Sequence, residues 1–243
     1  MPLELTKETL ELAFDDLGQI ARFRGLIADI AVYGGACLLL ATDARQVTRD
    51  VDSVFMAEPE FLYEAADAIA RKKNLPDDWL NQSVKHLVTS PGSRQPRLNV
   101  FGEYPRDDGT PGLRIFLPPP EYILAMKLIA SRREDLDGAR RDRHGITQLM
   151  HITSIRSGAA IMELVKGFFP TIPGIDNRVL AKIDDFIQYA KEQSQHVKRR
   201  PTWNARRGRE PGGIERAGAH GRAPRIPRRI LSRQRSSESS TSY

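Results

Sequence analysis

The chain of 243 residues contains a single cysteine, Cys37, and no long apolar run. One cysteine excludes an intrachain disulfide and a cysteine-based zinc site, and we interpret Cys37 as a small core residue. A transmembrane helix needs about 18 consecutive apolar residues or more, so none is expected. The N-terminal stretch 1–18 is acidic and amphipathic, unlike a secretory signal. We therefore expect a cytoplasmic protein with no membrane partner.

Charge is distributed unevenly along the chain. Residues 197–243 carry 13 Lys and Arg against 3 Asp and Glu, a net charge of about +10, whereas residues 1–196 carry 24 against 28, about −4. Pro, Gly, Arg and Ser dominate the basic segment, which has too few apolar residues to offset the entropy of ordering. We therefore predict a disordered basic tail over 197–243. Its arginines could contact nucleic-acid phosphates, or the tail could have no selected function.

The remaining residues have the composition of a globular protein, and the stretch 31–55 organises them. It contains two short apolar runs separated by a Gly-Gly pair, an apolar segment and a polar loop. This order predicts strand, tight turn, helix, loop and strand. The expected bounds are a strand over 29–34, a helix over 36–41 and a strand over 51–56.

Asp50 and Asp52 flank Val51 at the start of the second strand of this stretch. Because alternate residues of a strand share a face, both carboxylates should project together while Val51 enters the core. Adjacent carboxylates repel each other, and Mg²⁺ prefers such oxygen ligands together with substrate phosphates. Gly34 and Gly35 allow a sharp turn, and the helix that follows offers free N–H groups to an anion. The combination fits a nucleoside triphosphate.

The polar loop before the aspartates contains Arg45, Thr48 and Arg49. These residues could meet a phosphate of the bound nucleotide. The arginines could equally pair with Asp50 or Asp52 and have no chemical role. The sequence does not decide between the two interpretations.

Periodicity predicts further elements outside this stretch. The expected helices cover residues 5–28, 59–73, 121–133, 157–169 and 176–195. The expected strands cover 98–101 and 113–117, and a turn with a short helix is expected over 76–81.

Lys127 falls inside the apolar stripe of the helix predicted over 121–133. A lysine in a core-facing stripe must extend to solvent or find an anion. It could pair with a buried carboxylate such as Asp50 or Asp52, or it could contact the phosphates of the nucleotide.

Gly34-Gly35, a gap of 14 residues and Asp50-Val51-Asp52 together resemble the signature of the DNA polymerase beta-type nucleotidyltransferase superfamily. Within it the sequence is similar to the AbiEii-like toxin group and its uncharacterised bacterial relatives. Three later stretches, in the same order, support the resemblance, which covers roughly residues 5–190. They are Asp78-Trp79-Leu80-Asn81, Pro120–Leu128 and Arg132–Asp137.

The resemblance implies an α/β (α+β) fold. Residues 1–117 would form a nucleotidyltransferase-like core with a small mixed sheet flanked by helices. Residues 118–196 would form a helical C-terminal lobe, followed by the basic tail. The region Arg132–Asp137 would order the site.

The resemblance also implies a Mg²⁺-dependent nucleotidyltransferase that moves a nucleoside monophosphate from a nucleoside triphosphate to an RNA, protein or small-molecule acceptor. Asp50 and Asp52 would hold the metal, and with Lys127 they form the expected catalytic set. The nucleotide would be bound by the residues Gly34, Gly35, Thr48 and Arg49. The resemblance to the AbiEii-like group further implies the toxin of a toxin–antitoxin pair, with its antitoxin as partner.

One feature departs from the superfamily pattern. Its better-known enzymes carry a third carboxylate on a later strand, but neither 98–101 nor 113–117 contains Asp or Glu. Asn99 and Glu103 are the nearest polar candidates. Three alternatives therefore stay open: a one-metal enzyme, a non-catalytic binding or regulatory protein with this fold, and a nucleic-acid-binding protein acting through its tail.

Overall fold

The computed structural model describes residues 4–43, 45–131, 136–171, 177–194 and 202–204, without the side chains of 131–142, 177–182 and 193–194. All of these residues belong to one compact unit, Met1–Arg209. The residues Arg132–Asp135, to which the resemblance assigns a role in ordering the site, lie outside the described residues. So does the predicted tail, apart from 202–204.

Seven strands form two sheets in this part of the chain. Five of them make a mixed sheet in the order β5-β4-β2-β7-β6, and β1 pairs with β3 in a separate antiparallel ribbon. In the larger sheet β2 is antiparallel to β4 and parallel to β7, β4 is parallel to β5, and β6 is antiparallel to β7. The strands are β1 (Leu5–Thr6), β2 (Ala28–Val32), β3 (Val47–Thr48), β4 (Val51–Ala57), β5 (Leu80–Asn81), β6 (Asn99–Tyr104) and β7 (Leu113–Leu117).

Eight helices accompany the sheets within the described ranges, which confirms the predicted α/β class with a mixed sheet. They are α1 (Lys7–Phe23), α2 (Gly34–Ala41), α3 (Pro59–Lys73), α4 (Lys85–Val88), α5 (Pro120–Ser131), α6 (Leu136–Thr153), α7 (Gly158–Phe168) and α8 (Asn177–Ser194). Helices α5 to α8 pack on one another, and α1 packs on α3, β6 and β7.

Helix α1 is shorter than the predicted helix over 5–28. Thr6 is its N-cap and accepts a hydrogen bond from the Thr9 backbone N–H, while Leu5 and Thr6 pair with β3 instead of extending the helix. The helix ends before Gly25, whose φ of +70° places it in the left-handed region that glycine tolerates best. The chain then enters β2.

The segment 76–81 is a turn followed by β5, so the predicted short helix is wrong. The Val51 N–H donates to the Trp79 carbonyl over 2.6 Å, and β5 continues this pairing beside β4. Trp79 is fully buried and its indole N–H donates to the Ala66 carbonyl. Burial of Trp79 under α3 thus draws the following residues onto the edge of the sheet.

The helical lobe buries its apolar faces as amphipathic patterning predicts. Helix α5 is buried along most of its length, including Tyr122 and Leu124, and α8 buries Ile183 and Phe186. No helix in the described residues combines the length and apolarity needed to cross a bilayer.

Two residues of the predicted tail, Trp203 and Asn204, contact the core. Trp203 is partly buried against it, and the Asn204 N–H donates to the Ala41 carbonyl at the end of α2 over 2.8 Å. The segment 202–204 therefore covers the carboxyl end of α2.

Candidate functional site

A glycine turn, residues 33–35, leads from β2 into α2 and brings Gly34 against Asp52 of β4. Helix α2 begins at Gly34, two residues before the predicted start at residue 36. The Tyr33 N–H donates to the Asp52 carbonyl over 2.8 Å, so the chain stays paired with β4 up to the turn. Gly34 then adopts a φ of +60°. A Cβ at Gly34 would overlap Asp52 Oδ2 and lie 3.1 Å from Asp52 Cγ. Only glycine fits here, both because of the backbone and because the carboxylate occupies the space.

Asp50 and Asp52 face one cavity from the start of β4. Val51 between them is fully buried, whereas both aspartates are half-buried and line the cavity. Burial and the neighbouring Asp52 charge raise the pKa of Asp50, and a hydrogen bond from Asn81 opposes this shift. The two carboxylates therefore form an acidic pair whose mutual repulsion is felt in the free protein.

A short segment after β5 contacts both carboxylates. The Ser83 hydroxyl donates to Asp52 Oδ1 over 2.5 Å, and the Asn81 amide lies 3.4 Å from Asp50 Oδ2. The Asn81 side-chain carbonyl accepts the Ser83 backbone N–H over 2.9 Å. Residues 81–83 therefore hold one oxygen of each carboxylate.

The polar loop supplies cationic and hydroxyl groups on the other side of the turn. Arg45 packs against Gly35, where a Cβ would lie 2.9 Å from Arg45 Cζ and 2.8 Å from Thr48 Oγ1. Arg45 also donates from Nε to the Val47 carbonyl, and its charge lowers the pKa of Asp50. It therefore offsets part of the acidic charge.

Thr48 and Arg49 differ in what they can offer a ligand. Thr48 is almost fully buried, and its hydroxyl donates to the Asp50 carbonyl over 3.2 Å. Thr48 thus orders the loop that leads into the acidic pair. Arg49 is exposed and lines the cavity, so its guanidinium is accessible to an anion.

The cavity has a volume of about 750 Å³ and two kinds of wall. The glycine turn, the polar loop and the acidic pair form a polar wall. Leu87, Ile123, Met126 and Ala130 contribute apolar surface, and residues of α6 close the far side. Such a mixture suits a ligand that joins a charged group to an apolar ring.

Lys127 reaches the same cavity from α5. It is 8% exposed and lies beside Gly145 of α6, where a Cβ would be 3.4 Å from Lys127 Cε. Burial raises the pKa of the Cys37 thiol well above its usual range, and the charge of Lys127 opposes this shift. The thiol therefore stays protonated in the core at neutral pH, as expected for a packing residue.

Some residues at the site were not predicted from the sequence. Ser83, which contacts Asp52 of the acidic pair as described above, is one of them. His144 and Gln148 line the cavity from α6, with His144 Nε2 2.6 Å from Gln148 Nε2. Their spacing of four residues on a helix is a signal that the sequence offers for this pair, since such residues share a face.

The nearest candidates for a third carboxylate do not join the acidic pair. Glu103 of β6 lies opposite Arg114 of β7, and Arg114 lies opposite Asp29 of β2. Asp29 in turn lies opposite Ala57, at the end of β4 that is far from the acidic pair. Asn99 lies at the nearer end but on the opposite edge of the sheet. Within the described residues no group of three or more His, Cys, Asp or Glu is placed to hold a metal.

The residues nevertheless fit a single hard cation. Mg²⁺ is commonly bound by one or two carboxylates and completes its shell with water and substrate phosphates. Asp50 and Asp52 supply two adjacent carboxylates in a half-buried setting that raises the pKa of Asp50. A divalent cation between them would relieve that repulsion.

Comparison with known proteins gives no family for this chain: no family model, no curated protein and no solved structure matches it.

Proposed function

We propose that this protein is a nucleotidyltransferase, which moves a nucleoside monophosphate from a nucleoside triphosphate to an acceptor hydroxyl. The observation that carries the proposal is the contact between Gly34 and Asp52. It places a glycine turn and helix start directly beside an acidic pair, within one cavity of about 750 Å³. A triphosphate needs both features, because its anionic oxygens require N–H donors at one end and a cation at the other.

The residues of the cavity would have different roles in binding the nucleotide and the metal. The backbone N–H groups of Gly34 and Gly35, at the start of α2, would donate to the phosphate oxygens. Lys127 and Arg49 would contact phosphate oxygens from the cavity walls. Asp50 and Asp52 would hold Mg²⁺, which when bound neutralises phosphate charge and stabilises the charge that develops in transfer.

In the proposed reaction the acceptor oxygen forms a bond to the α-phosphorus. The bond from the α-phosphorus to the oxygen that bridges it to the β-phosphorus breaks, and pyrophosphate leaves with that electron pair. The hydroxyl proton passes to solvent or to a nearby base. The acceptor could be RNA, protein or a small molecule, and a toxin role would add an antitoxin partner.

Label transfer from α-³²P nucleoside triphosphates tests this proposal. Each of the four triphosphates is incubated with the protein, Mg²⁺ or Mn²⁺, and total cell RNA and protein. We expect transfer by the wild type and a rate lower by about a hundredfold or more in Asp50→Ala/Asp52→Ala. The matched control is Asp77→Ala/Asp108→Ala, which removes two exposed carboxylates that do not line the cavity.

A non-catalytic binding protein is the second candidate. It is favoured because, in the described residues, no third ligand joins Asp50 and Asp52 in a group that could hold a metal. It predicts nucleotide binding without label transfer. Equally low incorporation by the wild type and the double variant, with triphosphate binding retained, would select this alternative. If the wild type shows neither nucleotide binding nor label transfer, both candidates would be contradicted.

A further inference from the structure

We propose that Ser83 is a positioning residue for the acidic pair, assisted by Asn81: it fixes Asp52 so that one carboxylate oxygen stays turned toward the glycine turn. This inference rests on the proposed function, because it concerns the same site. It adds residues that neither the acidic motif nor the glycine turn contains.

The first observation is that the two carboxylate oxygens of Asp52 have different neighbours. Oδ1 accepts the Ser83 hydroxyl over 2.5 Å, while Oδ2 lies so close to Gly34 that a Cβ there would overlap it. The hydrogen bond therefore fixes the orientation of the carboxylate, with one oxygen toward Ser83 and the other toward the turn. Without it the half-buried carboxylate could rotate about its terminal bond, whose torsional wells are broad.

The second observation is that Ser83 is itself held in place. Its backbone N–H donates to the Asn81 side-chain carbonyl over 2.9 Å, and the Asn81 backbone carbonyl accepts from Ser53 of β4 over 2.7 Å. The neighbouring Gln82 side chain accepts the Phe55 N–H over 3.1 Å. Segment 81–83 is therefore fixed to the strand that carries Asp52.

The third observation concerns Asp50. The Asn81 amide lies 3.4 Å from Asp50 Oδ2, so this contact involves only one of the two carboxylate oxygens of Asp50. A serine and an asparagine two residues apart thus face two aspartates two residues apart. Outer partners of this kind orient metal-binding carboxylates, and removing one typically weakens metal affinity by about 10- to 100-fold.

Manganese binding to the full chain, followed by the loss of the free Mn²⁺ electron paramagnetic resonance signal, tests the inference. We expect Ser83→Ala to weaken Mn²⁺ binding by about tenfold, and Ser83→Thr to restore it because the hydroxyl returns. Ser83 is exposed, so its substitution should leave the fold intact. The matched control is Ser93→Ala, which removes a hydroxyl bonded to the Val88 carbonyl.

The outcomes separate this inference from the proposed function. Mn²⁺ binding that is lost in Asp52→Ala but unchanged in Ser83→Ala would overturn the role of Ser83 and leave the metal site standing. Equal weakening by Ser83→Ala and Ser83→Thr would also overturn it, since the hydroxyl would not be responsible. Mn²⁺ binding that is unaffected by Asp52→Ala would contradict the proposed metal site itself.

Discussion

Replacing Gly34 with alanine should lower the stability of the fold for two reasons. The backbone conformation is strained for an L-residue, and the new Cβ would overlap the Asp52 carboxylate. An L-residue in the left-handed region costs about 1–2 kcal/mol, and this penalty applies at both Gly34 (φ +60°) and Gly25 (φ +70°). A Cβ at Gly25 meets nothing within 4 Å, whereas at Gly34 it overlaps Asp52 Oδ2. Gly25→Ala is therefore a control with the same backbone strain and no steric contact.

The additional cost at Gly34 follows from the carboxylate that must move. Its displacement breaks the hydrogen bond from Ser83 to Asp52. A hydrogen bond to a charged group contributes about 1.5–3 kcal/mol, and exposure of Ser83 places this one at the lower end. We therefore expect Gly25→Ala to lower the unfolding free energy by about 1 kcal/mol and Gly34→Ala to lower it by about 2–3 kcal/mol.

Urea unfolding of the two variants, each in the wild-type and the Asp52→Ala background, provides the measurement. In the Asp52→Ala background the cost of Gly34→Ala should fall to that of Gly25→Ala, a coupling of about 1 kcal/mol or more. Gly25→Ala should show no coupling to position 52. Equal costs for the two glycine variants, with no coupling, would refute the contact between the turn and the acidic pair.

Three further predictions concern the core. Tyr122→Phe should raise the unfolding free energy by about 1 kcal/mol, because the buried phenol oxygen has no hydrogen-bond partner in the described part of the chain; a loss of stability in urea unfolding would contradict this. Trp79→Ala should cost about 3–5 kcal/mol, measured in the same way, since Trp79 is fully buried. Burial raises the pKa of Tyr104 to about 12, so the unfolded chain ionises first and stability should fall as pH rises from about 10 to 12, by up to about 3 kcal/mol. Tyr104→Phe should reduce that slope, and an unchanged slope would contradict the shift.

Elements with strong local end signals were predictable from the sequence. Helix α3 has the predicted bounds, Pro59–Lys73, because proline suits a first helical turn and the three basic residues at its end precede Asn74 in a left-handed conformation. Strand β7 likewise has the predicted bounds, Leu113–Leu117. Gly25, with its φ of +70°, is the local signal that ends α1, and a helix predicted over 5–28 runs past it.

Elements that depend on a distant partner were not predictable. Strands β1, β3 and β5 have two residues each, too few for any periodicity. Each exists because another strand offers it hydrogen bonds; β5 for example pairs with β4. No local pattern distinguishes such a segment from a turn, which is why the sequence of 76–81 predicts a turn with a short helix and not a strand.

The residues of the candidate site show the same contrast between local signals and signals that depend on a distant partner. The acidic pair and the lysine could be found locally, because strand alternation assigns Asp50 and Asp52 to one face, and a lysine in an apolar stripe is conspicuous. The contact of Ser83 with Asp52 spans 31 positions of the chain and depends on the pairing of β4 with β5. A serine in a polar turn carries no sign of such a role. Residues that orient a reactive group are thus harder to find than the group itself, because their signal lies in the tertiary pairing that brings them near.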